Sequence, residues 1–206
     1  MTKIIFATKN QGKLKEIRSI MSDVNTEILS MEEAGINIDV IEDGKTFEEN
    51  ALKKATEIMK VCNEIVLADD SGLEVDYLDK APGVYSARYM GEDTPYSIKN
   101  AKIIELLSKA KGDERSARFV SVIAASFPNG ETFTTRGTIE GLIDYEIKGE
   151  NGFGYDPIFL VPSLNKTTAQ LTLEEKNEIS HRGKSLKAMK DLLKEKLGEK
   201  LWNYLF

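Results

Sequence analysis

A single cysteine, Cys62, and a single histidine, His181, stand in a chain of 206 residues, and no apolar run approaches the span of a bilayer. One cysteine excludes an intrachain disulfide, which agrees with a reducing compartment. Cys62 falls in an apolar helical pattern and is expected to behave as a small core hydrophobe. A membrane-spanning helix needs about 20 mainly apolar residues, so no membrane partner is expected. The opening residues MTKIIFATKN lack the apolar stretch and cleavage site of a secretory leader. A soluble cytoplasmic protein is the expectation. Internal repeats, linkers and low-complexity tracts are also missing, as is the GxxxxGK[ST] phosphate loop. No serine or cysteine nucleophile pattern surrounds His181, which speaks against covalent catalysis through it.

What is present is an ordinary globular composition, 41% hydrophobic and 30% charged, enough to bury a sizeable core. One domain over residues 1–206 is expected. The net charge is −6, yet residues 181–206 carry seven Lys/Arg against three Asp/Glu. An acidic protein can still hold an anion in a local basic pocket. The basic tail reads as the polar face of a helix, and nucleic acid is not an expected partner.

Residues 3–7, KIIFA, predict a short buried strand, and Leu14, Ile17, Ile20 and Met21 recur at helical spacing after Gln11. A second strand is predicted at 27–30. Phe47–Cys62 places Ala51, Ala55, Ile58, Met59 and Cys62 on one helical face, with Asn50 and Lys54 on another. The strand at 64–68, EIVLA, is expected to end at Asp69-Asp70 and Ser71-Gly72. A helix over 94–110 would turn Ala101, Ile104 and Leu107 inward. Residues 118–127 read as a central strand, joined through Pro128-Asn129-Gly130 to a strand at 131–141 in a long hairpin. A last helix over 183–197 would bury Leu186, Met189, Leu193 and Leu197. Interleaved helices and strands predict an α/β fold with a mixed sheet flanked by helices.

Four places could carry chemistry. Thr8-Lys9-Asn10-Gln11-Gly12-Lys13 joins the first strand to the first helix. A helix N-terminus offers unpaired N–H groups and positive partial charge to phosphate oxygens, and two lysines add to it. The bland alternative is a capped turn with solvated lysines. Glu42, Asp69 and Asp70 supply carboxylate oxygens suited to magnesium, and one left free of the metal could deprotonate water. Alone, an Asp-Asp pair reads equally as an acidic turn. In Gly152-Phe153-Gly154-Tyr155-Asp156-Pro157 glycines let backbone approach a ligand, and aromatic rings offer a surface for a nucleobase. Aromatic core plugs in a glycine turn are the alternative there. Ser180-His181-Arg182 opens the last helix, with Lys176 upstream. An Arg or Lys here would donate to a 6-oxo group on a purine and oppose the amino group of adenine, since donor facing donor is left unpaired. A helix cap and surface charge would look the same.

Taken together, TKNQGK, TFEENALKKA, LADDSGLEVD, APGVYSARY, NGFGYDPIF and EISHRGKSL resemble the Ham1/RdgB-type inosine triphosphate pyrophosphatase family, in order and nearly end to end. The resemblance implies an elongated mixed sheet, two lobes with the active-site cleft between them, a homodimer and a magnesium requirement. It implies hydrolysis of non-standard purine triphosphates (ITP, dITP, XTP) to the monophosphate and pyrophosphate. Thr8 to Lys13 match the phosphate-contacting turn, and Lys54 matches a lysine directed at the triphosphate. Asp70 matches the proton acceptor and metal ligand, Glu42 the second carboxylate, and Asp69 its support. Ser71 matches a substrate contact. Phe153 matches the stacking residue, within Phe153-Gly154-Tyr155-Asp156, and Lys176, His181 and Arg182 match base contacts, Arg182 reading the 6-oxo group. A pyrophosphatase for other modified nucleotides, or a nucleotide-binding module without catalysis, are the alternatives.

Overall fold

The computed structural model describes residues 2–22 and 26–203. Its strands are β1 (Thr2–Phe6), β2 (Thr26–Ser30), β3 (Ile65–Val75), β4 (Ser116–Ser126), β5 (Thr132–Ile143), β6 (Phe159–Val161) and β7 (Lys166–Thr167). The α-helices are α1 (Gln11–Ile20), α2 (Phe47–Cys62), α3 (Tyr96–Leu106), α4 (Leu173–Ile179) and α5 (His181–Asn203). The strands form one mixed sheet in the order β2-β1-β3-β4-β5-β6-β7. β1 lies parallel to both β2 and β3, whereas β5, β6 and β7 pair antiparallel. This is the α/β architecture that the interleaved pattern predicts.

The chain forms two compact units, and β3, β4 and β5 contribute residues to both. The first comprises residues 1–70, 122–136 and 182–206. Its core joins Ile4, Phe6, Ile65, Leu67, Ile123 and Phe127 of the sheet strands and their ends to Leu14, Ile17 and Ile20 of α1 and Leu186, Met189 and Leu193 of α5. Each such side chain stabilises the fold by roughly 1.5–3 kcal/mol when fully buried. α2 starts where the Thr46 hydroxyl accepts the Glu49 N–H, and it ends at Asn63, whose left-handed φ of 52° lets its N–H reach the Met59 carbonyl.

The second unit comprises residues 71–121 and 137–181. Leu73, Val75, Ile103, Leu107, Phe119, Ile139, Ile158 and Phe159 build its core. Arg115 is buried within it, donating to the carbonyls of Leu107, Ile143 and Asp144. A buried guanidinium is tolerated because its N–H groups meet acceptors.

Three expectations need correction. β3 does not end at the acidic pair but runs on through Asp69, Asp70, Ser71 and Gly72 to Val75. Both carboxylates have partners there, so the charges do not break the strand. On α3 the buried residues are Lys99, Asn100 and Ile103, while Ala101 faces outward. The buried lysine donates to the Ala87 carbonyl at 2.6 Å, so polar side chains occupy positions that the apolar pattern assigned to solvent. Cys62, at the end of α2, is half-buried instead of enclosed in the core. The turn at 128–130 joins β4 to β5 as predicted, closed by Gly130 N–H to the Phe127 carbonyl and Phe127 N–H to that of Glu131.

Candidate active site

In the first unit, β1 delivers the chain to a turn that caps α1. The Asn10 side chain accepts the Lys13 N–H at 3.1 Å, and the Thr8 hydroxyl accepts the Asn10 N–H at 3.1 Å. Lys9 points outward and pairs with Asp39. Gln11 and Gly12 form the first residues of α1. Beside the turn lies a cavity of about 430 Å³, bounded by Thr8, Lys9, Gln11 and Leu14 and by Ser30, Met31, Ile36 and Asn37.

Within the first turn of α1, Lys13 donates to Asp69 Oδ1 at 3.0 Å, and Arg182 approaches Asp69 Oδ2 at 3.4 Å. Burial would raise the Asp69 pKa, but Lys13, Arg182 and Lys54 outweigh it and hold the carboxyl below the usual range. Burial is also the largest influence on Lys13 and lowers its pKa, with Arg182 and Lys54 adding to the effect against Asp69. The Arg182 guanidinium binds Glu16 as well, and all three of Arg182, Glu16 and Asp69 are buried.

Lys54, on α2, pairs with Glu42. Burial opposes its charge, yet Asp69, Glu42 and Asp70 together raise its pKa above that of an ordinary lysine. Asp70 accepts the Asn50 amide at 3.0 Å, and Asn50 in turn accepts the Gly44 N–H at 2.7 Å. Burial pushes Asp70 up to about 6, opposed by the Asn50 hydrogen bond and reinforced by the negative charge of Glu42. Lys13, Lys54, Glu42, Asp69 and Asp70 thus form one electrostatically linked group. Among the described residues no three His, Cys, Asp or Glu gather as a ready-made metal cage. Glu42 and Asp70 nevertheless offer hard oxygen donors whose mutual repulsion a divalent cation would relieve, which suits magnesium, an ion that keeps waters and phosphate oxygens in its shell.

Glu16 escapes the motif reading, whereas Asn50 lies within TFEENALKKA and shares a helical face with Lys54. Glu16 lies three positions beyond Lys13, on the same face of α1, and Asn50 lies four before Lys54 on α2. Helical spacing could have drawn attention to Glu16 as it does to Asn50.

The second unit holds the glycine-rich segment. Asp156 accepts the Phe153 N–H at 2.8 Å, the Lys176 ammonium at 2.7 Å and the Thr168 hydroxyl at 2.8 Å. Lys176, from α4, also lies 4.9 Å from the centre of the half-buried Phe153 ring. Gly152 has a φ of +73°, and a Cβ there would stand 2.2 Å from Asp156 Oδ2, so this position requires glycine. Tyr155 turns into the core, its hydroxyl donating to the Ser86 carbonyl at 2.8 Å, and burial raises its pKa. The glycine segment therefore presents one ring and plugs the core with the other. His181 is buried and stacked on Phe119, centroids 4.8 Å apart. Ser71 follows Asp70 in β3 and is half-buried.

Residues 4–192 match the Ham1 family. A dITP/XTP pyrophosphatase of Clostridium perfringens is 54% identical over 200 residues, covering 94% of this chain and 98% of that protein. Among solved structures, a HAM1 protein from Coxiella burnetii superposes with a TM-score of 0.86 at 41% identity, covering 95% of this chain and 100% of that one. The Staphylococcus aureus Ham1 protein gives 0.85 at 42% identity, with coverage of 95% and 100%.

Proposed function

The chain belongs to the Ham1 family, and from that membership we propose that it is a pyrophosphatase cutting dITP, XTP and ITP to the nucleoside monophosphate and pyrophosphate. The observation that carries this reading is the linked group of Lys13, Lys54, Glu42, Asp69 and Asp70, which places two half-buried lysines beside a carboxylate fixed by Asn50.

The 8–13 turn and Lys54 hold the triphosphate, with Ser71 as a further contact. Asp70 takes a proton from the water that attacks the anhydride between the α- and β-phosphates. The P–O bond breaks, and Lys13 and Lys54 donate hydrogen bonds to the departing pyrophosphate. Fixed charges of this kind lower such a barrier chiefly by orientation and electrostatic stabilisation. Glu42 and Asp70, supported by Asp69, would hold magnesium, which supplies neutralisation of phosphate charge when bound. Phe153 stacks on the base within the 153–156 segment, and Lys176, His181 and Arg182 contact its edge, Arg182 reading the 6-oxo group. The protein acts as one catalytic domain over 1–206, as a homodimer and in the cytoplasm. Among the described residues no helix is long and apolar enough to cross a membrane.

The test is pyrophosphate release from dITP, XTP, dATP, dGTP and a modified pyrimidine triphosphate, with magnesium and with a chelator. Release from dITP and XTP in magnesium alone is the expected result. Equal turnover of dATP would overturn the substrate reading, and binding without release would make the protein a nucleotide sensor. Asp70→Asn should lose turnover by at least about 10²-fold, the usual lower bound for a general base, while still binding nucleotide. Full magnesium-dependent activity in that variant removes Asp70 from the mechanism.

A further inference from the structure

Asn100 sits on the buried face of α3, 2% exposed, among residues that the family motifs do not include. Its amide Nδ2 donates to the Gly154 carbonyl at 3.1 Å, and its Oδ1 meets no donor among the described residues. A leucine at this helix position would avoid the unsatisfied Oδ1, which is costly in a dry environment, but would take this donor from the Gly154 carbonyl. The asparagine therefore has to be explained by the bond it makes.

That bond reaches the residue after Phe153, in a turn where Gly154 holds a φ of +67°. The turn is otherwise fixed by Asp156 on the Phe153 N–H and by the Tyr155 hydroxyl on the Ser86 carbonyl. Tyr96, at the start of the same helix, meets the Tyr155 ring edge-on at 5.2 Å. Lys99, beside Asn100, donates to the Ala87 carbonyl, next to the Ser86 that Tyr155 uses. α3 thus holds the Gly154 turn directly and the 86–87 backbone alongside it. We propose that Asn100 is a positioning residue for base recognition, setting the orientation of the Phe153 ring through the Gly154 carbonyl. The inference rests on the reading that Phe153 receives the base.

Asn100→Asp keeps the shape but replaces the donor with a carboxylate, and Asn100→Ala removes the group without adding charge. Each should raise the KM for dITP roughly tenfold, the loss expected for one buried hydrogen bond, with kcat changed by less than about threefold. Inhibition by inorganic tripolyphosphate, which has no base, should stay at the wild-type level. Phe153→Leu serves as the reference. An unchanged KM in both Asn100 variants beside a raised KM in Phe153→Leu overturns the Asn100 proposal alone. An unchanged KM in Phe153→Leu overturns the base-platform reading and the proposal with it. A parallel loss of tripolyphosphate binding, or a melting temperature far below wild type in both variants, makes Asn100 a structural residue and also overturns the proposal.

Discussion

Asp70 and Asp69 are neighbours in one strand with opposite electrostatic fates. Asp69 has two cations and stays charged, whereas Asp70 has an amide and a nearby carboxylate and is held near 6. Because the folded-state pKa of Asp70 exceeds that of an unfolded carboxyl, the native state keeps a proton that the unfolded chain has already released. Between about pH 4 and 6, stability of the metal-free protein therefore falls as pH rises, by at most about 3 kcal/mol. Asn at position 70 carries no charge to desolvate. In chelator at pH 7, Asp70→Asn should melt above wild type, and the gap should close below about pH 4. Identical melting curves at pH 7 would show that the buried charge costs nothing. The acidic pair was visible in the sequence, but its division of labour was not, since partners such as Arg182 lie more than a hundred residues away in the chain. Glu16 stayed hidden for a similar reason, its partner Arg182 lying 166 residues away. It looks like a solvated helix residue until that partner is known.

At the level of elements, periodicity located α1, α2 and α5 well because each buries a regular apolar stripe. Capping chemistry contributed too. Thr46→Ala removes the acceptor for the Glu49 N–H and should lower stability by about 1 kcal/mol. Since α2 also carries Asn50 and Lys54, its activity should fall further than its melting temperature suggests. A thermal melt read beside turnover at 25 °C checks this, and unchanged values in both would leave the cap without a role. The pattern failed at β3, where a strand tolerates consecutive carboxylates only because tertiary partners neutralise or hydrogen-bond them. It failed again on α3, whose inward face is partly polar. In both cases long-range pairing overrides the local rule.

At the scale of the whole molecule, each unit is assembled from separate stretches of chain and has its own hydrophobic cluster. Neither core is contained in one continuous segment, so no simple truncation preserves the first. Leu186→Ala in α5 should cost about 2–5 kcal/mol through the cavity it leaves. Hydrogen exchange should reveal lost protection in β1 and α1, far from residue 186 in sequence. Protection lost only within α5 would show that the helix does not support that core. The α/β class and the six ordered motifs were legible from residue types alone. The interruption of each unit by the other was not, because it depends on β3, β4 and β5 each giving residues to both units.

The linked set of buried Glu16, Arg182 and Asp69 with half-buried Lys13 also limits which sequences a descendant of this chain can reach. Removing Arg182 takes from two enclosed carboxylates a cation that both approach, and neutralising Glu16 or Asp69 deprives the guanidinium of a counter-charge. Single steps away from the present arrangement therefore pass through poorly folded intermediates. Drift at these positions is expected to proceed by coupled exchanges, in which a second substitution restores the charge balance disturbed by the first.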